Sequence, residues 1–228
     1  MIYNNIHEGI FLNRPNRFIA EVLINNVVEI CHVKNTGRCK ELLTPGVKVI
    51  LNKSDNPKRA TKYDLISVYK GERLINMDSQ APNIAFGEYL KSGAFIDNLT
   101  LIKPEVKYGQ SRFDFYVEAG DHSAFIEVKG VTLEDNGIVM FPDAPTLRGV
   151  KHLNELVSCM NAGYGAYAVF IIQMENVDYF TPNYKTHPEF GEALKHAVNQ
   201  RVKAVAFDCK IDRYSMVINK EVPLRFNE

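Results

Sequence analysis

Two carboxylates and an ammonium on neighbouring strand-like runs are the residues of this sequence best placed to do chemistry. The run "AFIEVKG", Ala124 to Gly130, alternates Ala124, Ile126 and Val128 with Phe125, Glu127 and Lys129. An acid and a base therefore share one face, two positions apart. The preceding run "RFDFYVE" (112–118) carries Asp114, and the intervening "AGDH" reads as a hairpin turn. Closed about Gly120 and Asp121, the hairpin sets Asp114 directly opposite Glu127. Like charges in that position repel. They make sense around a divalent cation, since magnesium takes one or two carboxylates and completes its shell with waters and a substrate phosphate. A bound water loses its proton more readily there, and a neighbouring lysine can orient it. Asp114, Glu127 and Lys129 are accordingly candidate catalytic residues for phosphodiester hydrolysis, with Asp114 and Glu127 holding Mg2+ or Mn2+. The competing reading is a solvated sheet face whose Glu127–Lys129 pair is worth under about 1 kcal/mol.

A helix and several strands must hold these groups. The segment "TLRGVKHLNELVSCMNAG" (146–163) repeats Leu147, Val150, Leu153, Val157 and Met160 at helical steps, with Thr146 as N-cap and Gly163 as stop. Arg148, His152 and Glu155 fall on the other side of that helix, where an arginine and a histidine could hold phosphate oxygens or simply face water. A shorter helix is expected at 83–93, capped by Asn83 and ended by Gly93. "LTLIKPEVKY" (99–108) reads as a strand that Pro104 confines to an edge or a bulge. "AYAVFIIQ" (166–173) has the unbroken apolarity of a strand covered on both faces. A helix at 188–200 and a strand at 202–209 follow, giving a mixed sheet flanked by helices.

The first third differs. "RFIAEVLIN", "VVEICHV", "VKVILN", "YDLISVYK" and "GERLIN" are short β-type runs separated by turn residues, the pattern of a small barrel or sandwich. "MDSQAPN" (77–83) has linker character, which places a boundary between units at 1–80 and 81–228. Charge follows the same division: residues 1–75 hold 12 Lys/Arg against 7 Asp/Glu, the remainder 15 against 20. The whole chain of 228 residues is neutral, so its global charge selects no partner. No apolar run approaches the ~20 residues that span a bilayer, and the N-terminus lacks the pattern of a secretory signal, so a cytoplasmic protein is expected. Four scattered cysteines fit buried thiols better than a zinc site.

"RFDFYVE…AFIEVKGVTL…FPDAPTLRGVKHLNEL", with "RPNRF", "KNTGRCKELL" and "NPKRATKYDLI" upstream, resembles the sugar fermentation stimulation protein family. The likeness runs from about Arg14 to about Cys209. It implies a mixed α/β protein: an OB-like β-barrel followed by a restriction-endonuclease-like α/β domain of the PD-(D/E)XK class. On that resemblance Asp114, Glu127 and Lys129 match the nuclease triplet, and Glu88 is a further metal ligand on the first helix. Arg148 and His152 become groups behind the site or on phosphate. The barrel becomes a DNA grip using Arg14, Arg17, Arg38, Lys58 and Arg59, with aromatic stacking beside a basic groove. Family members are described as DNA-binding proteins linked to sugar metabolism. A non-cleaving DNA-binding regulator is therefore the alternative to a nuclease, and a barrel that binds RNA or a sugar oligomer is a third. A homodimer is also open, because nucleases that cut both strands often pair their sites.

Overall fold

The computed structural model describes residues 1–35 and 37–226. Six strands open the chain: β1 (Ile6–Asn16), β2 (Ile19–Ile24), β3 (Val27–Val33), β4 (Lys48–Lys53), β5 (Tyr63–Lys70) and β6 (Arg73–Asn76). They pair in the order β3-β2-β1-β4-β5-β6, and a parallel pairing from Cys31↔Tyr63 to Val33↔Leu65 closes the first five into a barrel. Period-2 alternation drives this: along β2, Ala20, Val22 and Ile24 are buried while their neighbours are not. Asn25 and Asn26 both take left-handed backbone and turn β2 into β3, as a two-residue hairpin requires. Strand β1 was not legible in the sequence, since its eleven residues include Pro15 and bury only Gly9 and Phe11.

Then follow α1 (Ala81–Lys91), β7 (Leu99–Tyr108), β8 (Ser111–Ala119), β9 (His122–Val131), β10 (Leu133–Asp135) and β11 (Ile138–Phe141). The chain continues through α2 (Leu147–Asn161), β12 (Gly165–Ile172), β13 (Tyr179–Pro182), α3 (Pro188–Asn199), β14 (Lys203–Ile211) and β15 (Met216–Val222). The main sheet runs β15-β14-β12-β9-β8-β7. Strand β12 lies parallel to β9 and β14, whereas β7, β8 and β15 pair antiparallel with their neighbours. The fold class is thus mixed α/β, a barrel followed by a mixed sheet with helices on both faces. Pro104 sits in β7 at the open edge, where its missing N–H costs no ladder bond. Phe86 of α1 packs on Phe115 on one face of the sheet. On the other, Phe113, Phe125 and Phe170 meet Leu153, Leu156, Phe190 and Leu194 of α2 and α3. Among the described residues, no helix is long and apolar enough to cross a membrane. All four cysteines are buried and unpaired.

Two sequence expectations need correction. The segment 77–83 is no loose linker: Met77 and Asp78 are fully buried, and Asp78 pairs with Lys34 at 2.6 Å. The inner face of α2 is also rotated from the Leu147/Val150/Leu153/Val157 stripe. Gly149, His152, Leu153, Leu156 and Cys159 are buried instead, and Leu147 is 75% exposed. A polar residue, His152, is drawn inward by a buried acid, and periodicity of apolar types alone could not register that.

Candidate active site

The β8–β9 hairpin turns at Gly120, which is left-handed, and pairs Ala119 with His122 through to Phe115 with Ile126. One further step in that register would set Asp114 against Glu127. The ladder stops there. The Asp114 carboxylate accepts the backbone N–H of Val128 at 2.7 Å, so the side chain bonds a donor on the neighbouring strand.

A kink in the next strand accompanies the break. Strands β7 and β8 keep one register from Leu101↔Glu118 to Tyr108↔Ser111, but the pair Glu105–Asp114 is missing from it. Glu105 is left-handed (φ 56°), an uncommon conformation for a residue with a Cβ. Side-chain alternation breaks at the same place. Phe115 and Ile102 belong to the α1 face, whereas Phe113 and Val106, at positions of the same parity, belong to the α2 face. Both strands therefore turn over together at Asp114.

Glu127 is 4% exposed. Its Oε1 contacts Lys129 Nζ and His152 Nδ1. Arg148 Nε donates to His152 Nε2 at 3.3 Å, so the imidazole proton sits on Nδ1 and is donated to Glu127. Glu127 Oε2 is buried and has no hydrogen-bond partner among the described residues. An orphaned carboxylate oxygen is costly unless something cationic or protic meets it. Burial pushes the Glu127 carboxyl upward, but the His152 hydrogen bond and the Lys129 ammonium outweigh it and hold the pKa below the usual value. Asp114 moves oppositely, to about 6: burial raises it and the Glu127 charge raises it further, against partial relief from Val128 N–H, Lys129 and Asn83. Two carboxyls pushed apart in this way are a common feature of functional sites.

Asn83 of α1 donates to Asp114 Oδ1 at 2.7 Å. The sequence suggests a capping role for it, but the helix starts two residues earlier, with Pro82 in its first turn and Gln80 at the cap position. The signal that could have found it was a short amide on the helix preceding the hairpin. Glu88, expected as a metal ligand, is not brought to this site; its carboxylate pairs with the Met1 amino group at 2.6 Å. Arg148 is exposed, whereas His152 is 3% exposed and orients Glu127 from behind, too deep to touch a nucleic-acid backbone. Among the described residues, no group of three or more His, Cys, Asp or Glu side chains is placed to hold a metal ion. The protein offers two carboxylates, a donor set that fits a hard cation keeping several waters.

The expected barrel grip divides in two. Arg14 donates to the carbonyls of Arg17, Asn35, Gly37 and Arg38 at 2.7–3.0 Å and so ties a loop together. Arg59 clamps Asp64 with both terminal nitrogens, at 2.6 and 2.9 Å. Neither guanidinium is free for phosphate. Arg17, Arg38 and Lys58 are exposed, and Arg17 lies over the ring of exposed Phe18. Arg17, Arg38 and Lys40 line a concavity of about 300 Å3.

Two family models match the chain. One, described as the N-terminal OB domain of the sugar fermentation stimulation proteins, covers residues 12–77. The other, described as the sugar fermentation stimulation protein RE domain, covers 80–215. A sugar fermentation stimulation protein homolog of Ruminiclostridium cellulolyticum is 58% identical over 99% of this chain and 100% of its own length. A homolog of Clostridium beijerinckii is 58% identical over 97% and 98%. The structure of Pyrococcus furiosus SfsA in complex with Ca2+ superposes with a TM-score of 0.90 at 28% identity, covering 99% of this chain and 98% of that one.

Proposed function

Because this chain belongs to the sugar fermentation stimulation protein family, we propose that it is a DNA-binding, divalent-metal-dependent phosphodiesterase of the cytoplasm. In this reading residues 1–80 form the nucleic-acid-binding unit and 81–228 the nuclease unit. The observation that carries it is the buried, unpartnered Oε2 of Glu127 beside an Asp114 whose carboxyl is raised to about 6. Both are what a cation of the Mg2+ or Mn2+ type would relieve. The Pyrococcus furiosus relative was solved with Ca2+, a cation of the same oxygen-seeking kind.

Asp114 and Glu127 would hold the ion. There it would supply a water of lowered pKa and stabilise charge on the phosphoryl oxygens. Lys129, whose ammonium lies on Glu127 Oε1, would orient the attacking water. The Arg148–His152 pair fixes the Glu127 rotamer, as supporting groups commonly do for a ligand. Arg17, Arg38 and Lys58 meet backbone phosphates, so affinity falls steeply with salt.

The test uses labelled single- and double-stranded DNA and RNA with Mg2+ or Mn2+. Cleavage is expected, abolished in Asp114→Ala and reduced about 10²–10³-fold in Lys129→Ala, the scale of losing one preorganised charge-stabilising donor. Tight binding with no cleavage of any substrate would leave the non-cleaving regulator in its place.

A further inference from the structure

Between the barrel and the catalytic strand lies a second, narrower cleft of about 170 Å3. It begins at Gly130, the residue after Lys129, and reaches the barrel loop at Asn35 and Gly37. Gly37 also lines the basic concavity of Arg17, Arg38 and Lys40, so the two hollows adjoin. Side chains approach the backbone closely at both ends. A Cβ on Gly37 would come within 2.6 Å of Asp143 Oδ2, and one on Gly130 within 2.5 Å of Gln173 Oε1 and 2.7 Å of Pro82.

The cleft's hydrogen-bonding character is lopsided. Its amide donors and one hydroxyl are turned inward: Asn35 Nδ2 to Met77 O, Gln173 Nε2 to Asn76 Oδ1 and Asp78 O, and Ser79 Oγ to Lys34 O. What remains to face a guest is two acceptors, the Gln173 amide oxygen and the Asp143 carboxylate, and the Thr132 hydroxyl, which can donate or accept. Asp143 is exposed and makes no hydrogen bond or ion pair among the described residues. Met140 and Phe141 give the cleft an apolar wall. A phosphate would be repelled by Asp143, and its place is the cationic hollow next door. A base pair is too large for a space worth about six waters at ~30 Å3 each.

We infer that this cleft is a nucleobase subsite, taking one unpaired base whose exocyclic amino group stands where thymine and guanine carry a carbonyl, cytosine or adenine, next to the phosphate held at the catalytic strand. The assignment rests on the DNA-binding function proposed above and adds to it the identity of the base and the need for an unpaired strand. Phosphates in the basic hollow fix the register, and the amino group donates to Asp143 and Gln173. Thymine presents a carbonyl where cytosine has its amine, so acceptor meets acceptor.

The test is fluorescence anisotropy with labelled dC, dA and dT 12-mers at fixed salt, in chelator so that no strand is cut. The wild type should bind dC and dA oligomers about tenfold more tightly than dT, the discrimination of one good base contact. Asp143→Asn, an exposed substitution that should leave the melting temperature unchanged, should erase or invert that preference, because its amide can donate to the thymine carbonyl. Equal binding of all three by the wild type, or a preference untouched in Asp143→Asn, overturns the subsite and leaves the DNA-binding function intact. Failure to bind any oligomer, single- or double-stranded, overturns both.

Discussion

Asp114 and Glu127 show how environment assigns different roles to two similar acids. Glu127 is met by an ammonium and an imidazole N–H on one oxygen and stays ionised. Asp114 is buried beside the Glu127 charge, and two amide donors and the more distant pull of Lys129 do not offset them, so its ionisation is resisted. The consequence for stability has a definite sign. The unfolded chain releases the Asp114 proton near 3.8, the folded protein near 6, so between those values the folded state binds more protons. Stability must then fall as pH rises through that window, by up to about 3 kcal/mol once both forms are ionised. Asp114→Asn removes the charge and keeps the shape. Its oxygen can still take Val128 N–H, while a flipped Asn83 accepts from its amide nitrogen. In metal-free buffer this variant should be more stable than the wild type at pH 7.5, with the advantage vanishing near pH 4. Urea midpoints across that range measure it. A variant less stable than the wild type at pH 7.5 would mean that burial and the Glu127 charge do not raise the Asp114 pKa. Added Mg2+ or Mn2+ should stabilise the wild type and not the variant.

At the scale of elements, what positions Asp114 is the paired kink of β7 and β8. Left-handed backbone at a non-glycine residue persists only where its surroundings hold it, and Glu105 lies opposite Asp114 in the register. The conformation, more than the carboxylate, should matter, because among the described residues the Glu105 carboxylate makes just a 3.8 Å ion pair with Arg112 on the surface. Glu105→Gly, which accepts positive φ freely, should keep divalent-metal affinity. Glu105→Val, whose β-branch disfavours it, should weaken calorimetrically measured metal binding about tenfold or more. Equal affinity in both variants would mean that the kink does not position Asp114 for the ion. The sequence disclosed the hairpin and its register, since period-2 alternation and a two-residue turn are local properties. It also disclosed the edge position of β7 through Pro104. It could not disclose the kink, which needs β7 laid against β8, nor the burial of His152, which needs Glu127 beneath α2. Arg14 read as a free cation for a similar reason, since its partners at Asn35, Gly37 and Arg38 are distant in sequence. Arg59 did so although its partner Asp64 is nearby, because no side-chain pattern marks an arginine and an acid five apart as a clamp.

For the molecule as a whole, the join between barrel and mixed sheet is built from buried polar groups. Asp78, fully buried, takes the Lys34 ammonium at 2.6 Å, the Tyr3 hydroxyl at 3.3 Å and the Gln80 N–H at 2.9 Å. Asn76 accepts from the Asp78 N–H and from Gln173 Nε2, both at 3.0 Å, and donates to Tyr3 at 3.0 Å. Lys34 follows β3 of the barrel and Gln173 follows β12 of the sheet, so one network fixes the barrel loop after β3 to the mixed sheet. Such a network is costly to leave half-made. Lys34→Met keeps most of the packing volume but leaves the Asp78 charge buried without its cation, a loss of about 3–5 kcal/mol. The barrel's apolar core also runs on into the α2 side of the sheet through Met77, Val131 and Met174. Heating should therefore unfold the wild type in a single calorimetric transition, and Lys34→Met should lower that transition as a whole. If the variant instead shows two transitions, with only the barrel's shifted, then the two units are thermodynamically separate and the join is a contact, not a shared core.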